Sequence, residues 1–188
     1  MISQLKKRGG RKNLQKASSR GSKLKAIEDQ ISCLDKYQSK AVIETVEGVQ
    51  RIRGLAGSGK TIVLALKVAY LYTMYENKMI AVTFNSRALK GQLITNFIVE
   101  NTNEEPDWSR IKIIHAWGSK NSEGLYFNFC KANNLVCYDY MDACQKYGRN
   151  SSAFDRVCEE AVESVTNPQP LYDVILVDEA QDFSKYFL

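Results

Sequence analysis

Eight consecutive residues, Gly54-Leu55-Ala56-Gly57-Ser58-Gly59-Lys60-Thr61, have the types and spacing needed to hold a phosphate. They fill every fixed position of the pattern G-x-x-x-x-G-K-[ST]. Crowded phosphate oxygens are held best by backbone N–H groups and a helix N-terminus, and both need close approach. Side chains at Gly54, Gly57 and Gly59 would block that approach, and glycine also permits the positive φ angles of a tight loop. Lys60 can reach the β- and γ-phosphates of a nucleoside triphosphate, and the Thr61 hydroxyl can ligate Mg²⁺. A chance match arises on the order of once in tens of thousands of positions. Accident is therefore a poor explanation in a chain of 188 residues.

A second group, Asp178-Glu179-Ala180-Gln181-Asp182, follows the apolar run Val174-Ile175-Leu176-Val177. Such a run reads as a central parallel strand covered on both faces. Ligands of open α/β sheets bind at the C-terminal ends of the strands, where these carboxylates fall. Asp178 would hold Mg²⁺, directly or through water. Glu179 could take a proton from an attacking water, and Gln181 could orient that water. An acid pair at a strand end is often only a solvated loop start. Behind a complete phosphate-binding loop it reads as the second half of one nucleotide site.

These groups need a scaffold that brings distant segments to one edge. Strand patterns fall at residues 49–53, 79–84, 111–115 and 173–178, with helical patterns at 60–76 and 87–100 between them. Alternation of this kind predicts an α/β fold with a parallel sheet. Two further helices are expected at 23–33 and 35–45. Between residues 116 and 170 the pattern turns helical, at 125–132, 138–147 and 154–166, and predicts an insertion ahead of the last strand.

Residues 1–25 contain nine Lys or Arg and no acid, whereas the rest of the chain carries a net charge of −4. Residues 1–25 thus read as a basic, disordered tail ahead of a domain at 26–188. The arm fits a solvated tail, a salt-sensitive contact along a nucleic-acid backbone, or an organellar leader. The apolar stretch 62–75 contains Lys67 and is too short to span a bilayer, so no membrane role is expected. Cys33, Cys130, Cys137, Cys144 and Cys158 form no C-x-x-C pair. Free thiols of a cytoplasmic protein are expected rather than a zinc site.

Taken together, these stretches resemble the UvrD/Rep-type superfamily 1 DNA helicases, in their first RecA-like, P-loop NTPase domain. Leu34-Asp35-Lys36-Tyr37-Gln38-Ser39-Lys40-Ala41-Val42 resembles the Q motif, and the resemblance implies that Gln38 reads the adenine edge of ATP. Gly54 to Thr61 is similar to motif I (Walker A). Val82-Thr83-Phe84-Asn85-Ser86-Arg87-Ala88-Leu89 resembles motif Ia, which implies single-stranded DNA contacts by Thr83 and Asn85. Val177 to Phe183 has the D-E-x-Q-D form of motif II (Walker B). His115-Ala116-Trp117 stands where the family often carries T-F-H-S, with Ile113-Ile114 in place of Thr-Phe and Ala116 in place of Ser. A DNA contact by His115 follows only by analogy.

Plainer readings stand beside these. Gln38 could be an exposed helix residue, Thr83 and Asn85 a strand end and helix cap, and His115 and Trp117 packing residues. The resemblance implies ATP and Mg²⁺ as cofactors and, in the complete enzyme, ATP hydrolysis coupled to movement along single-stranded DNA. It runs from about residue 30 to 183. Motif III and the second RecA-like domain, which supplies arginines to the ATP site, are not in the sequence, so either a truncated gene product or one half of a split enzyme, completed by a partner chain, is expected. Alone, the chain is expected to turn over ATP feebly and not to unwind DNA. The family's strand after motif II lies between the Walker A and Walker B strands. A gap between those strands is therefore expected, closed by direct pairing, by another chain, or not at all. A stand-alone nucleotide-dependent regulatory module is the alternative, and a small-molecule kinase fits less well.

Overall fold

The computed structural model describes residues 20–55, 57–85, 94–96, 98–100, 105–149 and 152–188. Two short helices lead in, α1 (Arg20–Ser32) and α2 (Lys36–Ile43), followed by the long α3 (Lys60–Met74). Strands β1 (Ile80–Phe84) and β2 (Ile111–His115) come next. Helices α4 (Leu125–Ala132), α5 (Tyr140–Tyr147) and α6 (Ala153–Glu163) precede β3 (Val174–Val177) and a 3₁₀ turn at Ala180–Asp182. Residues 94–96 and 98–100 are helical, and the rest of the helix expected at 87–100 lies outside the described residues. Of the expected tail, residues 1–19 also lie outside them, whereas Arg20 already begins α1.

The sheet is parallel, in the order β2-β1-β3. Strand β1 is buried at every position, as a central strand must be. Its register sets Phe84 level with His115 and Thr83 level with Val177. Asn85, Ala116 and Asp178 therefore leave the sheet at one end. The backbone bonds Ala116 N to Phe84 O (3.1 Å) and Asp178 N to Thr83 O (2.9 Å) continue the ladder there.

Among the described residues three apolar clusters form the core. Ala65, Val68 and Leu71 of α3 pack with Ile80, Val82, Ile94, Ile98, Ile111 and Leu176 to cover the sheet. Val63, Leu66 and Ala69, on another side of α3, pack with Ile27 and Ile31 of α1 and Val42 of α2. Helix α3 is thus apolar nearly all round because it serves two cores at once. Helices α4–α6 build a third core from Tyr126, Phe127, Cys130, Ala143, Val157, Cys158 and Ala161. No helix among the described residues is long and apolar enough to cross a membrane.

Two expectations fail. Residues 49–53 form no strand, and Val49 is 93 % exposed. A five-residue run becomes a strand only beside a partner, and no described strand lies alongside it. The second correction concerns β3, which is an edge strand rather than a central one, with Ile175 48 % exposed. Among the described residues its apolar run pairs with β1 on one side only. The expected gap between the two strands is therefore not closed by direct pairing.

Candidate nucleotide site

The phosphate loop takes its shape from its glycines. Gly57 and Gly59 have φ of 78° and 73°, in the left-handed region that side chains avoid. A Cβ on Gly54 would come within 2.4 Å of the Ser58 hydroxyl. Gly59 precedes α3 without a side-chain cap, and the helix ladder opens with Val63 N on Gly59 O at 3.0 Å. The first-turn N–H groups are thereby left to the loop, as phosphate binding requires. The Lys60 ammonium donates to Gly54 O (3.2 Å) and Leu55 O (3.1 Å), at the mouth of the loop. Ala56 lies outside the described residues.

Gln38 is brought to this loop from 20 residues away. Asp35 caps α2 by accepting from Tyr37 N (2.8 Å) and Gln38 N (2.9 Å). Gln38 completes the capping box by accepting from Asp35 N at 3.1 Å through Oε1. Its amide nitrogen is then aimed away from the box and donates to Ser58 O at 3.0 Å. The capping box fixes the glutamine, and the glutamine touches the phosphate loop.

At the end of β3, Asp178 is only 4 % exposed and accepts from Glu179 N at 3.1 Å. Glu179 has φ 51° and ψ 47°, a left-handed conformation unusual for a side chain of its size. That backbone turn swings the chain into the 3₁₀ segment and lets Gln181 donate to Glu179 Oε2 at 2.7 Å. The glutamine and the glutamate picked out by spacing are thus hydrogen-bonded partners. Phe183, two residues on, is buried and stacks on Phe187 (4.4 Å between centroids), and both rings meet Phe154 of α6. The helical insertion therefore anchors the acidic segment.

The remaining candidates divide by exposure. Thr83 has no exposed surface, whereas Asn85 is exposed. His115 uses both ring nitrogens internally. Trp117 N donates to Nδ1 at 3.1 Å, so the proton sits on Nε2, which donates to Asn85 O at 3.0 Å. Trp117 packs into the insertion against Phe154 (4.7 Å) and donates through Nε1 to Tyr138 O at 2.8 Å. A cavity of about 410 Å³ lies between the sheet end and the insertion, lined by Asn85, Trp117, Tyr140, Arg149 and Asp182 among others.

In chemical type the donor set suits a magnesium–triphosphate complex. Backbone N–H groups and Lys60 would take phosphate oxygens, and Thr61 and Asp178 would supply the hard oxygen ligands Mg²⁺ prefers. When bound, the metal neutralises phosphate charge. A family model described as an AAA domain matches residues 38–187. The chain belongs to that family. It is a P-loop nucleotide-binding module, and AAA P-loop domains generally bind ATP with Mg²⁺. No curated protein and no solved structure gives a significant match. Two residues escaped the sequence reading, Asp35 as a cap and Lys67 as a buried cation. A D-x-x-Q box before a helix signalled the first. A lone lysine in an apolar helix signalled the second.

Proposed function

We propose that the chain is the ATP-binding portion of a UvrD/Rep-like DNA helicase. The observation that carries this reading is the contact of Gln38 with the phosphate loop, because it puts a planar amide beside a triphosphate seat. Such a group can select a base edge by paired donor and acceptor, as glutamine does with adenine elsewhere. The D-E-x-Q-D segment supports the same reading, with Glu179 and Gln181 held together as a base and its orienting group. Single-stranded DNA would approach the exposed Asn85 and the neighbouring cavity, where Tyr140 offers a ring for stacking.

Three observations favour a second reading, a nucleotide-dependent regulatory module. Thr83 is buried, His115 is saturated by internal bonds, and Asp155 and Asp182 line the same cavity as Arg149. Carboxylates there would repel a phosphate backbone. Titration with a fluorescent ATP analogue, followed by a labelled dT oligonucleotide, separates the two. The helicase reading expects ATP binding that Lys60→Ala weakens strongly, and DNA binding that Asn85→Ala weakens. Nucleotide affinity without DNA affinity would favour the regulatory reading. No nucleotide affinity at all would sink both.

A further inference from the structure

Lys67 lies on α3 with 6 % of its surface exposed, in a helix otherwise apolar around it. A buried ammonium is costly unless every N–H finds a partner. Here all partners are backbone carbonyls at the end of α2: Glu44 O at 2.7 Å, Ala41 O at 3.0 Å and Val42 O at 3.4 Å. The last carbonyls of a helix have no intrahelical donors, and they carry the negative end of its dipole. Three donors on one cation match that need. Burial still pulls the Lys67 pKa below its usual value, with Glu44 acting in the opposite direction.

Helix α2 has eight residues and cannot hold itself in place by its own hydrogen bonds. Apart from the buried Val42, its polar ties to α3 and its loop are at its two ends. Gln38 donates to Ser58 O at one, and Lys67 binds the terminal carbonyls at the other. Both anchor points belong to the segment that builds the phosphate seat. Lys67 lies seven residues beyond Lys60 on the same helix, roughly 10 Å along its axis. One rigid helix thus carries the phosphate-binding lysine and a clamp on the helix that bears Gln38. We propose that Lys67 is a positioning residue for nucleotide recognition, fixing through α2 where the Gln38 amide stands beside the phosphate loop. The proposal rests on the reading of Gln38 as the group that selects the base.

The test compares the parent protein with Lys67→Met, Lys67→Arg, Gln38→Ala and the Lys67→Met/Gln38→Ala double variant. Affinities for ATP, GTP and inorganic tripolyphosphate are measured, together with hydrogen exchange of the α2 amides. Lys67→Met is expected to lower the ATP-over-GTP preference by about five- to tenfold, the worth of one good hydrogen bond. Tripolyphosphate affinity stays within about twofold, and α2 exchanges faster while α3 remains protected. Adding Gln38→Ala to Lys67→Met produces no further loss, and Lys67→Arg restores most of the preference. If Lys67→Met does not fold, Lys67→Gln is measured instead, with an intermediate loss of preference expected. A parent-like preference in a folded Lys67 variant, when Gln38→Ala has lost it, overturns the proposal. So does an equal loss for ATP, GTP and tripolyphosphate, which marks a general structural role. Failure of the underlying reading looks different: the parent binds neither nucleotide, or Gln38→Ala leaves the preference intact. Either result removes the recognition role of Lys67, and the α2 exchange then shows only whether the clamp exists.

Discussion

Glu179, the base of the proposed mechanism, is a carboxylate held in a backbone conformation that few residues accept. A left-handed non-glycine residue costs on the order of 1–3 kcal/mol, and such strain clusters at functional sites. Asparagine tolerates that conformation better and carries no carboxylate. Glu179→Asn is therefore expected to leave stability unchanged or raise it by less than about 1 kcal/mol, as read from urea unfolding. Under the proposed function the same variant loses nearly all ATP turnover while still binding ATP. A clear loss of stability would show that the Gln181–Glu179 bond outweighs the strain. Residue types and spacing alone single out Lys60, Thr61, Asp178 and Glu179 as candidates, because the patterns they belong to are local. The left-handed turn at Glu179 and the three carbonyls around Lys67 depend on contacts that spacing does not encode. Thiol chemistry follows burial in the same way. Burial pushes Cys130 up to about 11 and Cys158 higher still, whereas Cys33 is exposed. Cys33 should react first with a thiol reagent at pH 8, and Cys130 and Cys158 only on unfolding.

Helices and strands were legible wherever their periodicity and burial agree. The sequence pattern places β2 at 111–115 and α4 at 125–132, as the structure does. It fails at residues 49–53 and misjudges β3, because strand identity depends on a partner that no local pattern reveals. Between α5 and α6 the association rests on polar contacts as well as on apolar packing. Lys146 donates to both oxygens of Glu160 (2.9 and 2.7 Å), and Tyr138 donates to Oε1 at 3.1 Å. Tyr147 also donates to Glu160. The Lys146 and Tyr147 hydrogen bonds hold the Glu160 carboxyl below its usual range. A depressed carboxyl adds stability that is fully present above its unfolded value, about pH 4.3, and is lost as pH falls through the lower folded value. Thermal melts between pH 6 and pH 3 should show a decline that Glu160→Gln makes shallower. An unchanged slope in that variant would mean the half-buried cluster is screened enough to contribute nothing.

At the scale of the whole molecule, the two halves of the candidate site hang from different cores. Helix α3 is fixed by the sheet on one side and by α1 and α2 on the other, so the phosphate seat is braced by both. The acidic segment has only one described strand beside it, since β3 pairs with β1 alone. Its second support is the insertion, through Phe183 and Phe187 against Phe154. That division predicts separable defects. Phe187→Ala removes a partly buried ring that stacks on Phe183, at a cost of at most about 3 kcal/mol. It should loosen the segment from Asp178 to Gln181 without touching the phosphate loop. Under the proposed function, ATP affinity stays within about threefold, while turnover falls by about tenfold or more as Glu179 and Gln181 lose their fixed geometry. Leu66→Ala acts in the opposite sense. It opens a cavity between α3 and the α1–α2 pair, costs about 2–5 kcal/mol, and weakens ATP binding before it affects turnover of bound ATP. Equilibrium binding and single-turnover measurements on the two variants distinguish these effects. If both variants lower affinity and turnover together, the site is one mechanical unit, and the insertion does more than anchor its acidic half.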